Sequence, residues 1–345
     1  MITTNPSVSI VLLHWKDYSD TKQCLLSLEN VSYKNRHTII VDNCSNDGSI
    51  EKLQEEFPDV KYILNNSNLG FSCGVNVGLR AAYKMGTDYA LVLNNDMVVN
   101  SDFLEPAIAV AENDQNVGAV TGKIMFKSRP NIFWHAGGYI DLFRVQGVVR
   151  GNGDVDHGQY DKICQTGWAS GAMCLLPRKT LEKVGYFPEE HFFGAEEYDY
   201  STAILRSGFK IIYVPDFKGE HEVGGSYNAG HPILNVYGGY LSKMIIAEKY
   251  MSPVAWKIWR GVFWLYLKLR WPTLAREGCK CDEDYRVRLG AGFMAFKDHK
   301  TIKRVGLLEL ENAARRLGPA PSWGQGPNPV YYRIARDRLQ QPTVA

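Results

Sequence analysis

The chain has 345 residues, 45% hydrophobic and 22% charged, which is ample for a full globular core and excludes a disordered or fibrous protein. Its formal net charge of +2 is too small to attract nucleic acid by net field, so any electrostatic partner must meet a local basic patch, and one occurs late in the chain. Seven cysteines are odd in number and lack paired metal-finger spacing; among mostly apolar neighbours they read as reduced thiols of a cytosolic setting.

The opening residues Met1 to Ser7 carry no basic region or signal-type apolar run, and no long uncharged apolar stretch follows, so the expectation is a protein kept on the cytoplasmic side. Short apolar runs then alternate with helical patterns. Strands are predicted over Val8 to Leu13, His37 to Val41 and Val60 to Leu64, with helices near Ser19 to Asn30 and Ser49 to Phe57 between them. A helix over Gly74 to Lys84 places Val75, Leu79 and Ala82 on one face, and the strongest strand, Tyr89 to Leu93, runs straight into Asn94-Asn95-Asp96. This is the rhythm of a parallel sheet with crossover helices.

In such sheets ligands bind beyond the carboxyl ends of the strands, where Asp42 and Asp96 fall. Read alone, Asp42 and Asp47 are equally turn and helix-cap residues. The glycine-rich stretch Asn68 to Gly78 has no Walker lysine and no GxGxxG spacing, which argues against a P-loop or dinucleotide site. Its glycines suit either close approach to a ligand or close helix packing, and its asparagines suit reading a base or ribose. Glu196 and Glu197 open a helix whose residues Tyr200, Ala203 and Ile204 pack inward, so both acids stand at a positive helix end. Three acidic sites on one crevice suggest metal-assisted transfer from a nucleotide-activated donor.

Seven segments occur in the order expected of one family: Val8 to Trp15, the acidic turn from Asp42, Asn65 to Leu79, Leu91 to Val99, Gly167 to Phe187, Phe192 to Ile211, and His221 followed by Gly224-Gly225-Ser226. Over roughly residues 6 to 230 the chain resembles an inverting family 2 glycosyltransferase of the GT-A fold, in its bacterial rhamnosyltransferase-like branch. The resemblance implies an α/β fold, a Rossmann-like mixed sheet flanked by helices, with a C-terminal helical appendage. It implies that Asp42 accepts from the uracil or thymine imide, while Asp47, Asn68, Gly70, Asn76 and Asn95 line the nucleotide. Asp96, the last acid of the family's DxD element, and His221 would hold a divalent cation, Mg²⁺ or Mn²⁺, on the donor diphosphate. Asn94 replaces the first acid of that element. Glu197, where the family usually has Asp, would be the general base, with Glu196 orienting the acceptor or the base. Trp168 and Asp199 would meet the acceptor, Trp168 either as a sugar platform or as a core ring.

From Ile233 the chain changes character. A helix over Tyr237 to Tyr250 precedes Trp256, Trp259, Phe263, Trp264, Tyr266 and Trp271, interleaved with Lys257, Arg260, Lys268 and Arg270. Aromatics beside cations suit an interfacial helix on an anionic bilayer; packing on the catalytic domain or at a homodimer interface is the competing reading. The expected layout is a catalytic domain over 1–232 (nucleotide half about 6–100, acceptor half about 101–232), a helical region over 233–318, and a Pro/Gly-rich tail over 319–345. The expected partners are a dTDP- or UDP-linked sugar and a saccharide or polyprenyl-linked acceptor, with peripheral contact at the inner membrane face and no nucleic acid. A sugar nucleotidyltransferase and a non-catalytic saccharide-binding module are the alternatives from other classes.

Overall fold

The computed structural model describes residues 5–222 and 233–318; Gly224 to Ser226 and the tail lie outside the described residues. The chain divides into two units. The first comprises Met1–Asp141, Gln146–Pro188 and Glu197–Val223, the second Leu142–Val145, Glu189–Glu196 and Gly224–Ala345.

The first unit is built on β1 (Val8–His14), α1 (Tyr18–Glu29), β2 (Arg36–Asp42), α2 (Ser49–Glu56), β3 (Lys61–Leu64), α3 (Gly70–Lys84) and β4 (Tyr89–Asn94). There follow β5 (Met97–Val99), α4 (Leu104–Asn113), β6 (Val117–Phe126), β7 (Arg129–His135), β8 (Gly138–Asp141), β9 (Gln146–Val149), β10 (Cys164–Thr166), β11 (Met173–Pro177), α5 (Arg178–Lys183), α6 (Glu196–Arg206) and β12 (Lys210–His221). The main sheet runs β10-β12-β6-β11-β4-β1-β2-β3, with β5 on β12 and β7 on β6. β3, β2, β1 and β4 are mutually parallel, and β11 enters antiparallel between β4 and β6.

Alternation along β1 feeds two cores. Val8, Ile10 and Leu12 pack with Leu25, Leu28 and Ile108 on the side of α1 and α4. Val11 belongs to the opposite layer, with Val75 and Leu79 of α3. The glycines of α3 explain how closely that helix lies on the sheet: a Cβ at Gly78 would stand 2.3 Å from Val11 Cγ1, and one at Gly74 would stand 2.6 Å from Leu13 Cδ1. For these two positions the close-packing reading of the glycine-rich stretch is the one realised. Gly70, with φ of +77°, supplies a backbone turn that opens the helix earlier than the predicted Gly74. β12 runs on through Pro215-Asp216 to His221, although a proline and aspartate ordinarily mark a turn. Its register on β6 shifts between Val214 and Lys218, so the proline sits where the ladder is already interrupted.

The second unit is helical, with a π-helical turn at Ile233–Gly238, then α7 (Gly239–Tyr250), α8 (Pro253–Leu269), α9 (Trp271–Arg276), α10 (Asp282–Asp298) and α11 (Leu307–Leu317). Trp259, Phe263 and Trp271 are buried, and Trp259 and Phe263 stack at 5.0 Å. The aromatic segment is therefore chiefly the core of this unit; of its tryptophans only Trp264 is exposed, which corrects the expectation that its aromatics as a group face lipid. Asp298 ties the unit together, accepting from Tyr237 Oη at 3.0 Å and from Arg316 at 2.7 and 3.1 Å. No helix among the described residues is long and apolar enough to cross a membrane.

Candidate active site

The parallel strands bring His14, Asp42 and Asn94 to one edge of the sheet. In β12, parallel to β6, His221 lies at its carboxyl end, while the antiparallel β11 starts at the same edge with Gly171-Ala172 just before it. The candidate residues thus share the edge where open α/β sheets bind ligands.

At the end of β2, Asp42 is 5% exposed and accepts from the Ser45 hydroxyl at 2.5 Å and from the Ser45 backbone N–H at 3.2 Å. A carboxylate has about four acceptor sites, so these bonds fix its direction and leave capacity for a base imide N–H. The neighbouring Asn43, which the sequence reading passed over, is the hub that joins β2 to the loop before α3. Its amide nitrogen donates to Asn68 Oδ1 at 2.9 Å and to the Gly70 carbonyl at 3.0 Å. Its amide oxygen accepts from Leu69 N at 3.0 Å and Asn65 Nδ2 at 3.2 Å, which binds the Asn68–Gly70 loop to the end of β2.

A second network, buried at His14, Thr21 and Ser49, joins Asp47 to Asn95. Ser49 Oγ lies 2.5 Å from Asp47 Oδ1 and 2.9 Å from His14 Nε2, and His14 Nδ1 lies 2.8 Å from Thr21 Oγ1. Asn95 Nδ2 donates to that same Thr21 oxygen at 2.8 Å. Thr21 gives its own proton to the Asp17 carbonyl. Burial lowers the His14 pKa against the pull of Asp42, Asp47 and Asp17. Burial works against ionisation of Asp47, yet hydrogen bonds from Ser49, with His14 and Lys16 nearby, hold its carboxyl below the usual range. Only the position of His14 at the end of an apolar strand could have pointed to it.

Asp96 and His221 lie far apart in sequence and meet because β5 pairs antiparallel with the end of β12, aligning Met97 with His221. His221 Nε2 stands 3.0 Å from Asp96 Oδ1 and 3.3 Å from Asn94 Nδ2. The ring is buried, with Trp134 edge-on at 4.5 Å, and its Nδ1 makes no hydrogen bond. Among the described residues no group of three or more His, Cys, Asp or Glu side chains forms a metal cage. One carboxylate and one imidazole with an unbonded Nδ1 are a donor pair that would suit a divalent cation.

Glu197 Oε2 accepts from the Gly171 backbone N–H at 2.7 Å. The adjacent Ala172 carbonyl accepts from Asn94 N at 2.9 Å, so one short loop anchors Glu197 to the strand end that leads to Asp96. A Cβ at Gly171 would stand 3.2 Å from the Phe71 ring and 3.4 Å from Glu197 Oε2, leaving little room for a side chain. Glu196 is buried and bonds the N–H of its neighbour Ala195 at 2.9 Å.

Three expected site residues are drawn into the core instead. Asn76 spends its amide on the backbone of Phe187, donating at 2.8 Å and accepting at 3.0 Å. Trp168, only 2% exposed, packs edge-on against His135 and Tyr198, each at 5.1 Å, and offers no face to a sugar. Asp199 is fully buried, so an acceptor cannot reach it in this conformation.

The sequence model of glycosyl transferase family 2 matches residues 9–185, about half of the chain. The chain belongs to the family 2 glycosyltransferases. As a glycosyltransferase it is 22% identical over 219 residues to N-acetylglucosaminyl-diphospho-decaprenol L-rhamnosyltransferase of Mycobacterium tuberculosis, a match covering 55% of this chain and 68% of that one. It is 22% identical over 205 residues to the low-salt glycan biosynthesis hexosyltransferase Agl10 of Haloferax volcanii, covering 59% and 63%. Its fold is similar to that of a mannosyltransferase from Pyrobaculum calidifontis solved with GDP-Man and Mn²⁺, with a TM-score of 0.52 and 18% identity over 91% of this chain and 88% of that one. The GT-A architecture expected from the motifs is the one observed. Glu197 and His221 lie beyond the family match, so their candidacy rests on geometry.

Proposed function

We propose that this glycosyltransferase is inverting and metal-dependent, with dTDP-rhamnose as first-choice donor and a polyprenyl-diphosphate-linked saccharide as acceptor in surface-polysaccharide assembly. The observation that carries the reading is the attachment of the Asp96–His221 pair and the Glu197–Gly171 pair to the same strand end. The name of the mycobacterial relative supports the sugar and the lipid-linked acceptor. The catalytic domain extends over residues 1–232, followed by the helical region and the tail.

In the proposed reaction Asp42 accepts from the base imide, and the Asn43-held loop with Asn68 and Gly70 lines the nucleoside, while Asp47 and Asn95 fix the two ends of the crevice. Asp96 and His221 would hold the cation, which when bound neutralises charge on the departing diphosphate. Glu197 takes the acceptor hydroxyl's proton as that oxygen attacks the anomeric carbon from the face opposite the leaving group. One bond to carbon forms, the bond to diphosphate oxygen breaks, and the configuration inverts. The Gly171 N–H holds one Glu197 oxygen in place.

Asp42 accepts equally from uracil and thymine, so a UDP-sugar donor is the second reading. The nucleotidyltransferase alternative finds no support in the His14–Tyr18 segment, which lacks a glycine. Turnover and binding of a panel of UDP-, dTDP- and GDP-sugars with Mn²⁺, Mg²⁺ or chelator tests the proposal. Selective, metal-dependent use of dTDP-rhamnose is the expected result; selective use of a UDP-sugar would move the assignment to the second reading, and turnover of none would overturn both.

A further inference from the structure

The outward face of α8 has no use in the chemistry described above. Val254, Ile258, Val262, Leu265 and Leu269 are 68, 63, 46, 55 and 66% exposed. At 3.6 residues per turn these five fall within an arc of about 80°, forming one aliphatic stripe along the helix. Trp259, Phe263 and Leu267 occupy the opposite, buried face. Exposed Lys257, Lys268 and Trp264 form a shoulder beside the stripe, with Lys268 Nζ 4.8 Å from the Trp264 ring. From Pro253 to Arg276 the chain carries five Lys or Arg and no Asp or Glu.

We infer that this face of α8 docks on an anionic lipid bilayer, the helix lying in the plane of the interface with its aliphatic stripe among the acyl chains and its cations at the headgroups. A helix of 17 residues is about 25 Å long, short of the roughly 20 residues needed to span, and suited to lying flat. Charge chooses the partner. A second copy of the same face would bring Lys257 and Lys268 against like charges with no acid on the helix to offset them, whereas anionic headgroups complement them. The purpose of such docking rests on the lipid-linked acceptor proposed above.

Flotation of the full chain with phosphatidylcholine vesicles, with and without phosphatidylglycerol, tests the inference. The wild type is expected to float with the anionic vesicles. Ile258→Ser/Val262→Ser/Leu265→Ser and, separately, Lys257→Glu/Lys268→Glu lower the bound fraction on the order of tenfold, with nucleotide-sugar hydrolysis and circular dichroism unchanged. Equal flotation of wild type and both variants, or no flotation of wild type, overturns it. So does a dimer seen by light scattering that the serine variant separates, because the face then belongs to a second copy. Absent vesicle binding with intact transfer removes only the docking surface; loss of transfer with every donor removes the enzymatic reading and leaves the vesicle result standing.

Discussion

Glu197 and Asp96 are both carboxylates at the same strand edge, yet they are held differently, and that difference separates their expected phenotypes. Glu197 accepts a backbone N–H, and the amide oxygen of Gln accepts the same bond, so Glu197→Gln preserves the local fold while removing the proton acceptor. It should lower kcat by about 10²–10⁴-fold and leave donor affinity unchanged. Asp96→Asn removes a charge beside His221 and should instead abolish Mn²⁺-dependent donor binding. Calorimetric titration of donor with and without Mn²⁺ distinguishes the two, and retained turnover in Glu197→Gln would remove it as the base. The places of Asp42, Asp96 and Glu197 at one sheet edge were legible in sequence because each stands at a boundary where an apolar run or helix begins or ends. The burial of Trp168 and Asn76 was not legible, because an aromatic or amide among small residues has the same local signature whether it faces a ligand or a core. Asn43 was invisible for a related reason: its four partners lie on a separate loop, and one sequence does not display that pairing.

At the scale of elements, the same small residue has opposite consequences in two helices. Gly78 lets α3 lie on β1 and β2, and an added Cβ would meet Val11 Cγ1 at 2.3 Å and Val41 Cγ2 at 3.0 Å. Gly78→Ala should destabilise the first unit by about 1–3 kcal/mol, and pairing it with Val11→Ala should cost less than the sum of the two single changes. Gly261 of α8 has nothing within 4 Å of its would-be Cβ, so Gly261→Ala should stabilise the helical unit by roughly 0.5–1 kcal/mol through lower backbone entropy in the unfolded chain. Urea unfolding of the four variants checks both signs, and a destabilising Gly261→Ala would contradict the open surface assigned to that face. Strand and helix order from β1 to β4 was readable from hydrophobic period alone. Two things were not: the length of β12, because its ladder resumes beyond a proline, and the orientation of α8, because both of its faces are apolar and only packing decides which is buried.

For the molecule as a whole, stability should fall as pH drops from neutral toward about 4, and buried histidines set the sign. Burial pushes His135 down to about 4, with Arg150 adding to it and the Gly122 carbonyl opposing; His299 in the helical unit is also lowered to about 4, by burial first. In the unfolded chain such a ring titrates near 6.5. Between those values the unfolded state takes up a proton that the folded state refuses, so stability present above about 6.5 is lost on acidification. Asp20 acts in the opposite direction: burial and Asp17 raise it to about 6, so the folded state gains its proton first. Within the first unit it therefore offsets part of the His135 effect, but His14 is lowered as well, and two histidines oppose one carboxyl. His135 alone should remove on the order of 2 kcal/mol between neutral pH and pH 5. His135→Asn isolates this contribution, since the Asn oxygen can replace Nδ1 as acceptor for Gly137 N–H at 3.3 Å without carrying a titratable group. Urea unfolding across pH 5 to 8 should show the stability difference between wild type and His135→Asn narrowing as pH falls; a difference independent of pH would mean that the ring is not held neutral by its burial.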